Sequence, residues 1–229
     1  MSSAAGPNPS FKAVLWDFGG VLTESPFVAF ARFEEARGLP RDFLRQVNSL
    51  NADANAWACF ERGELSLAQF GDAFEAECRV QGHAVRGEDV VELLYGEIRP
   101  SMVEALRRCK QHYTTACLTN NIKTGRGHGL PTTEARGAEV ARVMAMFDAV
   151  FESSVIGARK PEPRFYQLAL ERLGIDAREA VYLDDLGINL KPARALGMTT
   201  IKVESAAQAL AELEAVLQLR LSEQLTTKP

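Results

Sequence analysis

Residues 11–24 read FKAVLWDFGGVLTE, and this stretch decides how the fold is interpreted. The run Phe11–Trp16 is mostly apolar and of strand length, and it stops at Asp17, which is followed two residues later by the pair Gly19-Gly20. A strand that ends at a glycine turn is the natural interpretation of such a pattern. We therefore expect Asp17 to lie at the carboxyl end of a buried strand.

Four more apolar runs of strand length follow much later in the chain, at residues 114–118, 149–151, 180–183 and 199–203. Segments with helical periodicity lie beside them, at residues 102–111, 163–173, 190–196 and 206–221. Gly174 and Gly197 stand where glycine commonly ends a helix. Strands that alternate with helices predict an α/β fold, in which a Rossmann-like parallel sheet is covered on both faces.

The stretch 23–100 breaks this alternation, because it has helical patterns and no convincing strand. The patterns cover residues 26–37, 41–48, 54–62, 67–78 and 87–95. We predict a helical cap subdomain inserted after the first strand. The predicted division is an α/β core of residues 11–22 and 101–221, a helical cap of residues 23–100, flexible tails at 1–10 and 222–229, and a flexible loop at 123–137 that is rich in glycine and threonine.

Composition excludes several classes of protein. The 229 residues are 46% hydrophobic and 24% charged, with a formal net charge of -4, as in an ordinary soluble domain. A long basic run is missing, so we expect neither nucleic acid nor a membrane as a partner. The four cysteines are widely spaced, which favours reduced, buried thiols over a disulfide framework or a zinc site. Without a secretory signal or an apolar run of ~18 residues, the sequence predicts a cytoplasmic protein.

Polar residues follow the predicted strands at the points where ligands bind in open α/β sheets. After the strands come three carboxylates and a hydroxyl–amide cluster: Asp17, Asp184, Asp185, Thr119, Asn120 and Asn121. Lys160 comes before the predicted helix at 163–173, and Asn189 lies four residues beyond Asp185. Each pattern alone is common, since an Asp before Gly-Gly is usually a turn and Asp-Asp after a strand is often a helix start. Their ordered combination is much harder to obtain by accident.

These residue types fit phosphoryl transfer. Asp17 could attack phosphorus, because a carboxylate nucleophile splits the displacement into two easier steps through an aspartyl-phosphate. Mg²⁺ prefers oxygen ligands, and Asp17 and Asp185 are the expected ones, with Asp184 in support. The Thr119 hydroxyl and the backbone N–H groups after it could hold phosphate oxygens. Lys160 could neutralise charge on the transferring group.

Four segments resemble the four motifs of the haloacid dehalogenase superfamily, in order and spacing. They are WDFGGVLTE (16–24), CLTNN (117–121), GARKPEPRFY (157–166) and YLDDLGINLKPARALGM (182–198). The likeness extends to the phosphatase-domain group found in soluble epoxide hydrolases and acyl-CoA dehydrogenase family members, and it covers nearly the whole chain. It implies a Rossmann-like core with a helical cap, Mg²⁺, and hydrolysis of a small phosphorylated metabolite by a monomer or homodimer.

The resemblance also implies a role for each matching residue. It makes Asp17 the nucleophile and Lys160 the charge-stabilising residue, and it gives phosphate binding to Thr119 and Asn120. It places the metal against Asp17, the Gly19 carbonyl and Asp185, with Asp184 supporting the ion and Asn189 in its outer shell.

One position departs from the family pattern. Family phosphatases carry a second Asp two residues after the nucleophile, where this chain has Gly19. That acid protonates the leaving alcohol, and general acid–base assistance is worth about 10²–10⁴-fold. Glu24, Thr23 or a cap residue could substitute for it. A slow or non-catalytic binding domain is therefore an alternative, as is a metal-independent 2-haloacid dehalogenase, against which the paired Asp184-Asp185 argues.

Two pairs of cap residues carry alternative interpretations. Trp57 and Phe60 stand at helical spacing and are expected to pack within the cap rather than line a substrate pocket. Arg62 and Glu64 flank a glycine turn from which a loop could reach down to the substrate.

Overall fold

The computed structural model describes residues 7–94, 96–121 and 134–221. Its centre is a parallel five-stranded sheet of order β3-β2-β1-β4-β5. The strands are β1 (Ala13–Trp16), β2 (Thr114–Thr119), β3 (Ala149–Glu152), β4 (Ala180–Asp184) and β5 (Thr199–Lys202). The predicted α/β fold class is confirmed. All four residues of β1 are buried, as expected for the central strand of a sheet covered on both faces.

Eleven α-helices and one short 3₁₀-helix (Ala177–Glu179) occur in the described residues. Five follow β1 directly: α1 (Pro26–Arg37), α2 (Phe43–Ser49), α3 (Ala56–Glu61), α4 (Leu67–Val80) and α5 (Gly87–Glu92). The other six are α6 (Pro100–Cys109), α7 (Glu134–Met144), α8 (Ser153–Ile156), α9 (Pro163–Leu173), α10 (Gly187–Leu196) and α11 (Ala206–Leu217).

Alternation of side chains along β1 divides the hydrophobic core between the two faces of the sheet. Val14 and Trp16 pack in one cluster with residues of α6, α7 and α11. Ala13 and Leu15 pack in the other with residues of α9 and α10. The helices therefore cover the faces of the sheet and leave the carboxyl ends of the strands as the edge at which polar side chains collect.

Helices α1 to α5 form the cap and share a hydrophobic cluster of their own. Phe70 is its hub: the ring stacks on Phe60 at 4.4 Å between centroids and meets the Trp57 ring edge-on at 5.1 Å. The expectation that Trp57 and Phe60 pack within the cap is thus correct. The cap joins the sheet through two linkers, which pair by an antiparallel bridge between Thr23 and Ile98.

The loop predicted at 123–137 differs from the structure at its end, because α7 begins at Glu134. This helix was missed because a glycine-rich composition dominated the interpretation, although Val140 and Val143 are buried against the sheet. The short α8 was also missed. Residues 122–133 lie outside the described part of the chain, and the division into core and cap at residues 23 and 100 stays a prediction.

The predicted tail at 1–10 is attached to the core at Asn8. Its backbone N–H donates to the Leu217 carbonyl at 2.8 Å, and its Nδ2 donates to the Val216 carbonyl at 3.1 Å. These bonds satisfy carbonyl groups at the end of α11 that have no partner within a helix. Residues 1–6 and 222–229 lie outside the described residues. The four cysteines are free; Cys78, Cys109 and Cys117 are buried, as expected, whereas Cys59 is only partly buried. Among the described helices none is long and apolar enough to cross a membrane.

Candidate active site

Three strand ends bring the predicted site residues together. Asp17 follows the last residue of β1, Thr119 is the last residue of β2, and Asp184 is the last residue of β4. Because β1 lies between β2 and β4, these residues are neighbours along one edge of the sheet. The convergence expected from the sequence is present.

Lys160, in the loop between α8 and α9, is the centre of this edge. Its side chain is only 1% exposed, and Nζ lies 2.8 Å from Asp17 Oδ1 and 2.8 Å from Asp184 Oδ2. Burial alone would lower the pKa of the lysine, but the charges of Asp17 and Asp184 outweigh burial and raise the pKa above its ordinary value. The structure thus holds a positively charged ammonium group between two carboxylates.

Asp17 is itself buried, and burial raises the pKa of its carboxyl well above the ordinary value, whereas Lys160 acts in the opposite direction. The backbone N–H of Phe18 donates to Asp17 Oδ1 at 2.6 Å, beside the contact from Lys160. Both contacts fall on Oδ1, so one oxygen is used to fix the carboxylate. Oδ2 is the oxygen that these two contacts leave available for chemistry.

Asp184 is fully buried, and donors of the protein surround its carboxylate. Oδ2 accepts from Lys160 and from the Tyr182 hydroxyl, Oδ1 accepts from the Leu186 N–H at 2.8 Å, and Asn189 Nδ2 lies 3.1 Å from both oxygens. These hydrogen bonds and the Lys160 charge compensate the cost of burying the Asp184 carboxylate away from water. Asp184 is therefore suited to hold the Lys160 side chain in place, and Asn189 in turn holds Asp184 in place.

Asp185 has a different environment, because it is only partly buried and accepts a hydrogen bond from Ser25 Oγ at 3.2 Å. Burial, together with the negative charge of Asp184, raises the pKa of Asp185 to about 6. Asp17, Asp184 and Asp185 each offer a carboxylate oxygen, and these atoms lie within 4.8 Å of one another. A set of hard oxygen donors of this kind fits Mg²⁺ better than a softer metal.

The two glycines after Asp17 are not equivalent. Gly20 has a φ of +74°, and a Cβ there would lie 2.2 Å from Asp185 Oδ2, so this position needs glycine both for its backbone angle and for space. Gly19 is not among the residues with positive φ, and a Cβ there would meet nothing within 4 Å beyond its chain neighbours. The backbone therefore does not explain why residue 19 is a glycine.

The amides after β2 hold loops in place. Asn120 Nδ2 donates to the Lys160 carbonyl at 2.9 Å, and its Oδ1 accepts from the Lys160 N–H at 2.8 Å. Asn121 Oδ1 accepts from the Ser154 hydroxyl at 2.9 Å. Both side chains are used within the protein, and Thr119 beside them is buried with 7% exposure.

Glu61 was missed in the sequence. It is the last residue of α3 in the cap, yet its Oε2 accepts from Arg159 Nε at 2.6 Å and from Asn120 Nδ2 at 3.1 Å in the α/β core. The sequence signal at this point is the glycine turn at Gly63, which singles out its flanking residues Arg62 and Glu64 and not Glu61. The only signal for Glu61 was its position directly after Phe60 on a helix with apolar neighbours, which does not reveal a partner about 100 residues away.

Arg62 and Glu64 bind each other at 2.6 Å, and Arg62 Nη1 also lies 3.5 Å from Glu162 Oε1 in the core. Arg62 is thus engaged in a pair that crosses from cap to core. Contact of this turn with a substrate stays a prediction.

The chain is similar to known proteins in sequence and in fold. The profile of the haloacid dehalogenase-like hydrolases matches residues 11–197. The chain is 34% identical to acyl-CoA dehydrogenase family member 10 of Mus musculus, with 91% of this chain and 19% of that protein covered. It is 31% identical to bifunctional epoxide hydrolase 2 of Sus scrofa, with 93% and 40% covered. This chain therefore spans less than half of either relative.

A relative of similar length is the glyceraldehyde 3-phosphate phosphatase of Methanocaldococcus jannaschii, which is 40% identical, with 84% of each chain covered. Among solved structures, a HAD family enzyme of Bacteroides thetaiotaomicron in complex with magnesium and inorganic phosphate superposes with a TM-score of 0.58. It covers 89% of this chain and 98% of its own, at 21% identity, so the likeness is one of fold.

The two glycines give a matched test of the turn. We expect Gly20→Ala to lower the free energy of unfolding by about 1–2 kcal/mol or more, because of the left-handed φ and the overlap with Asp185. Gly19→Ala should change it by less than about 0.5 kcal/mol. Urea denaturation of both variants measures the difference, and equal losses would contradict this account of the turn.

Proposed function

This chain belongs to the haloacid dehalogenase-like hydrolases, and on that basis we propose that it is a Mg²⁺-dependent phosphatase that hydrolyses a small phosphate monoester through an aspartyl-phosphate at Asp17. The observation that carries the proposal is the ammonium group of Lys160 held 2.8 Å from Asp17, at an edge where three carboxylates converge. The phosphatase of similar length among its relatives supports the same reaction class.

In the proposed reaction, Asp17 Oδ2 forms a bond to phosphorus while the bond from phosphorus to the ester oxygen breaks, and the leaving oxygen takes its proton from solvent water because residue 19 carries no acid. Asp17 Oδ1 stays held by Lys160 and by the Phe18 N–H, so the nucleophile is oriented before the substrate arrives. Lys160 offsets the negative charge of the transferring group. Water then attacks the aspartyl-phosphate, which releases inorganic phosphate and restores the carboxylate.

Phosphate oxygens would be held at the end of β2. The Thr119 hydroxyl is one donor. The side chain of Asn120 is already bonded to Lys160 and Glu61, so a contact from residue 120 would come from its backbone N–H. Asp184 would act through Lys160, which it fixes, and Asn189 would act through Asp184.

Asp17 and Asp185, with the Gly19 carbonyl, would hold the ion, and Asp184 would add its charge from behind. When bound, Mg²⁺ supplies positive charge that makes the approach of a carboxylate to a phosphate dianion less costly. The fit rests on oxygen donors within 4.8 Å of one another and on Gly20, which leaves the space that Asp185 fills.

A phosphate-binding domain with slow turnover is the second candidate, and Gly19 is the observation that favours it. Thr23 is a poor substitute for the missing acid, because it is buried and its Oγ1 donates to the Glu24 carbonyl at 3.1 Å. Glu24 is exposed and adjoins the site through the cap linker. Leaving groups that need no proton are therefore expected to react best.

The direct test is a screen of phosphorylated metabolites and p-nitrophenyl phosphate with Mg²⁺ present, in the parent protein and in Asp17→Asn. We expect hydrolysis that EDTA abolishes and that Asp17→Asn lowers by at least about 10³-fold, because the amide cannot form the acyl-phosphate. Halide release from a 2-haloacid in the presence of EDTA would instead support the dehalogenase alternative. Phosphate binding without turnover would support the binding domain.

Metal binding should depend on pH through Asp185. Its pKa is raised to about 6, so the carboxylate needed as a ligand is lost as the pH falls through about 6. We expect Mg²⁺ affinity, measured by calorimetry, to fall about tenfold between pH 7 and pH 5, with proton uptake by the free site as the cause. In Asp185→Asn the affinity should be weak at both pH values. A parent affinity that does not change with pH would contradict this role of Asp185.

Gly19→Asp should restore the missing acid. The φ of residue 19 and the open space around its Cβ allow the side chain to be accommodated. We expect turnover of an alkyl phosphate to rise towards ~10²-fold, whereas p-nitrophenyl phosphate gains less because its leaving group scarcely needs a proton. Gly19→Asn is the control of equal size. Equal rates for parent and Gly19→Asp on alkyl phosphates would show that protonation does not limit this protein.

A further inference from the structure

Glu61 belongs to the cap, yet the α/β core holds its carboxylate. The residue is 8% exposed, and within the cap only Trp57 Nε1 contacts the carboxylate among the hydrogen bonds of the described residues, at 2.9 Å to Oε1. Oε2 accepts from Arg159 Nε at 2.6 Å and from Asn120 Nδ2 at 3.1 Å. A buried carboxylate is costly unless it is paired, so these donors define where the end of α3 rests on the core.

The contact with Glu61 adds to the two Lys160 contacts that fix which way the Asn120 amide faces. The two N–H groups of Nδ2 are both used, one by Glu61 Oε2 and one by the Lys160 carbonyl, while Oδ1 accepts from the Lys160 N–H. A reversed amide would place its oxygen against the carboxylate of Glu61 and its N–H groups against the N–H of Lys160. Glu61 therefore favours the one orientation in which the Asn120 amide hydrogen-bonds both the N–H and the carbonyl of Lys160.

The chain of contacts ends at the nucleophile, because Lys160 Nζ lies 2.8 Å from Asp17 Oδ1. We infer that Glu61 is a positioning residue, which couples the seating of the cap to the placement of Lys160 beside Asp17. Its kinetic consequence rests on the proposed phosphatase function, whereas the coupling itself is a property of the folded chain. Through this coupling the site is fully ordered only when the cap rests on the core.

Glu162 provides a matched control for a substitution at Glu61. Its Oε1 lies 3.5 Å from Arg62 Nη1, so it too is a carboxylate paired with an arginine across the boundary between cap and core. This pair does not include Asn120. Glu61→Gln and Glu162→Gln thus make the same chemical change in two pairs that cross from cap to core. A glutamine at 61, in either orientation, sets its own N–H groups against a donor, either Trp57 or the pair Asn120 and Arg159.

For p-nitrophenyl phosphate with Mg²⁺, we expect kcat of Glu61→Gln to fall about tenfold while KM changes by less than about threefold, because misplaced catalytic groups lower kcat. Glu162→Gln should keep both constants within about twofold of the parent. Since Glu61 acts through Asn120, the double variant Glu61→Gln/Asn120→Ala should have the same kcat as Asn120→Ala alone.

Hydrogen exchange of the metal-free protein tests the coupling without activity. The Lys160 amide, which donates to Asn120 Oδ1, should exchange about tenfold faster in Glu61→Gln, while amides of α4 around Phe74 keep the parent rate. Glu61→Asp, which keeps the charge but shortens the reach, should shift Lys160 exchange in the same direction if Glu61→Gln does not fold.

Any of four results would overturn the inference. The kcat losses could add in full in the double variant, the effect of Glu61→Gln could be confined to KM, it could equal that of Glu162→Gln, or the exchange of the Lys160 amide could be unaltered. If the parent protein shows no Mg²⁺-dependent hydrolysis, the proposed function fails. Lys160 exchange then decides the coupling by itself.

Discussion

The candidate active site depends on the two ion pairs that the buried ammonium group of Lys160 makes with Asp17 and Asp184. The lysine side chain is 1% exposed, and its Nζ lies between Asp17 and Asp184 at 2.8 Å from each. Removing an ion from water costs several kcal/mol even after relaxation, and only good geometry with further hydrogen bonds repays that cost. The donors around Asp184 supply those bonds. The charges are thus mutually required, since the loss of one leaves another buried and unpaired.

This requirement explains the order of elements around the site. The carboxylates come from the ends of β1 and β4, which are adjacent strands, so their spacing is fixed by the sheet. The lysine comes from a loop that the sheet does not fix, and Asn120 at the end of β2 binds that loop through its backbone. The sheet thus fixes the positions of the two carboxylates, and the hydrogen bonds of the Asn120 amide fix the position of the lysine between them.

The cap enters the same network. Its own aromatic cluster around Phe70 packs α3 against α4. Glu61 at the end of α3 connects this packed pair of helices to Asn120 through a hydrogen bond. On the opposite linker, Arg99 Nη1 donates to the Gly20 carbonyl at 3.0 Å, in the turn that follows the nucleophile. The cap and its linkers thus contact the catalytic edge at Asn120, at Gly20 and, through Ser25, at Asp185, which lie beside or among the predicted site residues.

The sequence alone determined the α/β sheet, the helical insert and the positions of Asp17, Thr119, Lys160, Asp184 and Asp185, because strand length, glycine turns and polar residues after apolar runs are local signals. Helix α7 was lost, since the glycine-rich stretch before it masked an apolar face that only packing reveals. The separate surroundings of Asp184 and Asp185, adjacent in the chain, could not be read locally. Only the tertiary structure decided that Glu61 contacts Arg159 and Asn120. Such contacts depend on how the cap packs on the core, and the spacing of these residues in the sequence does not indicate that they are close in space.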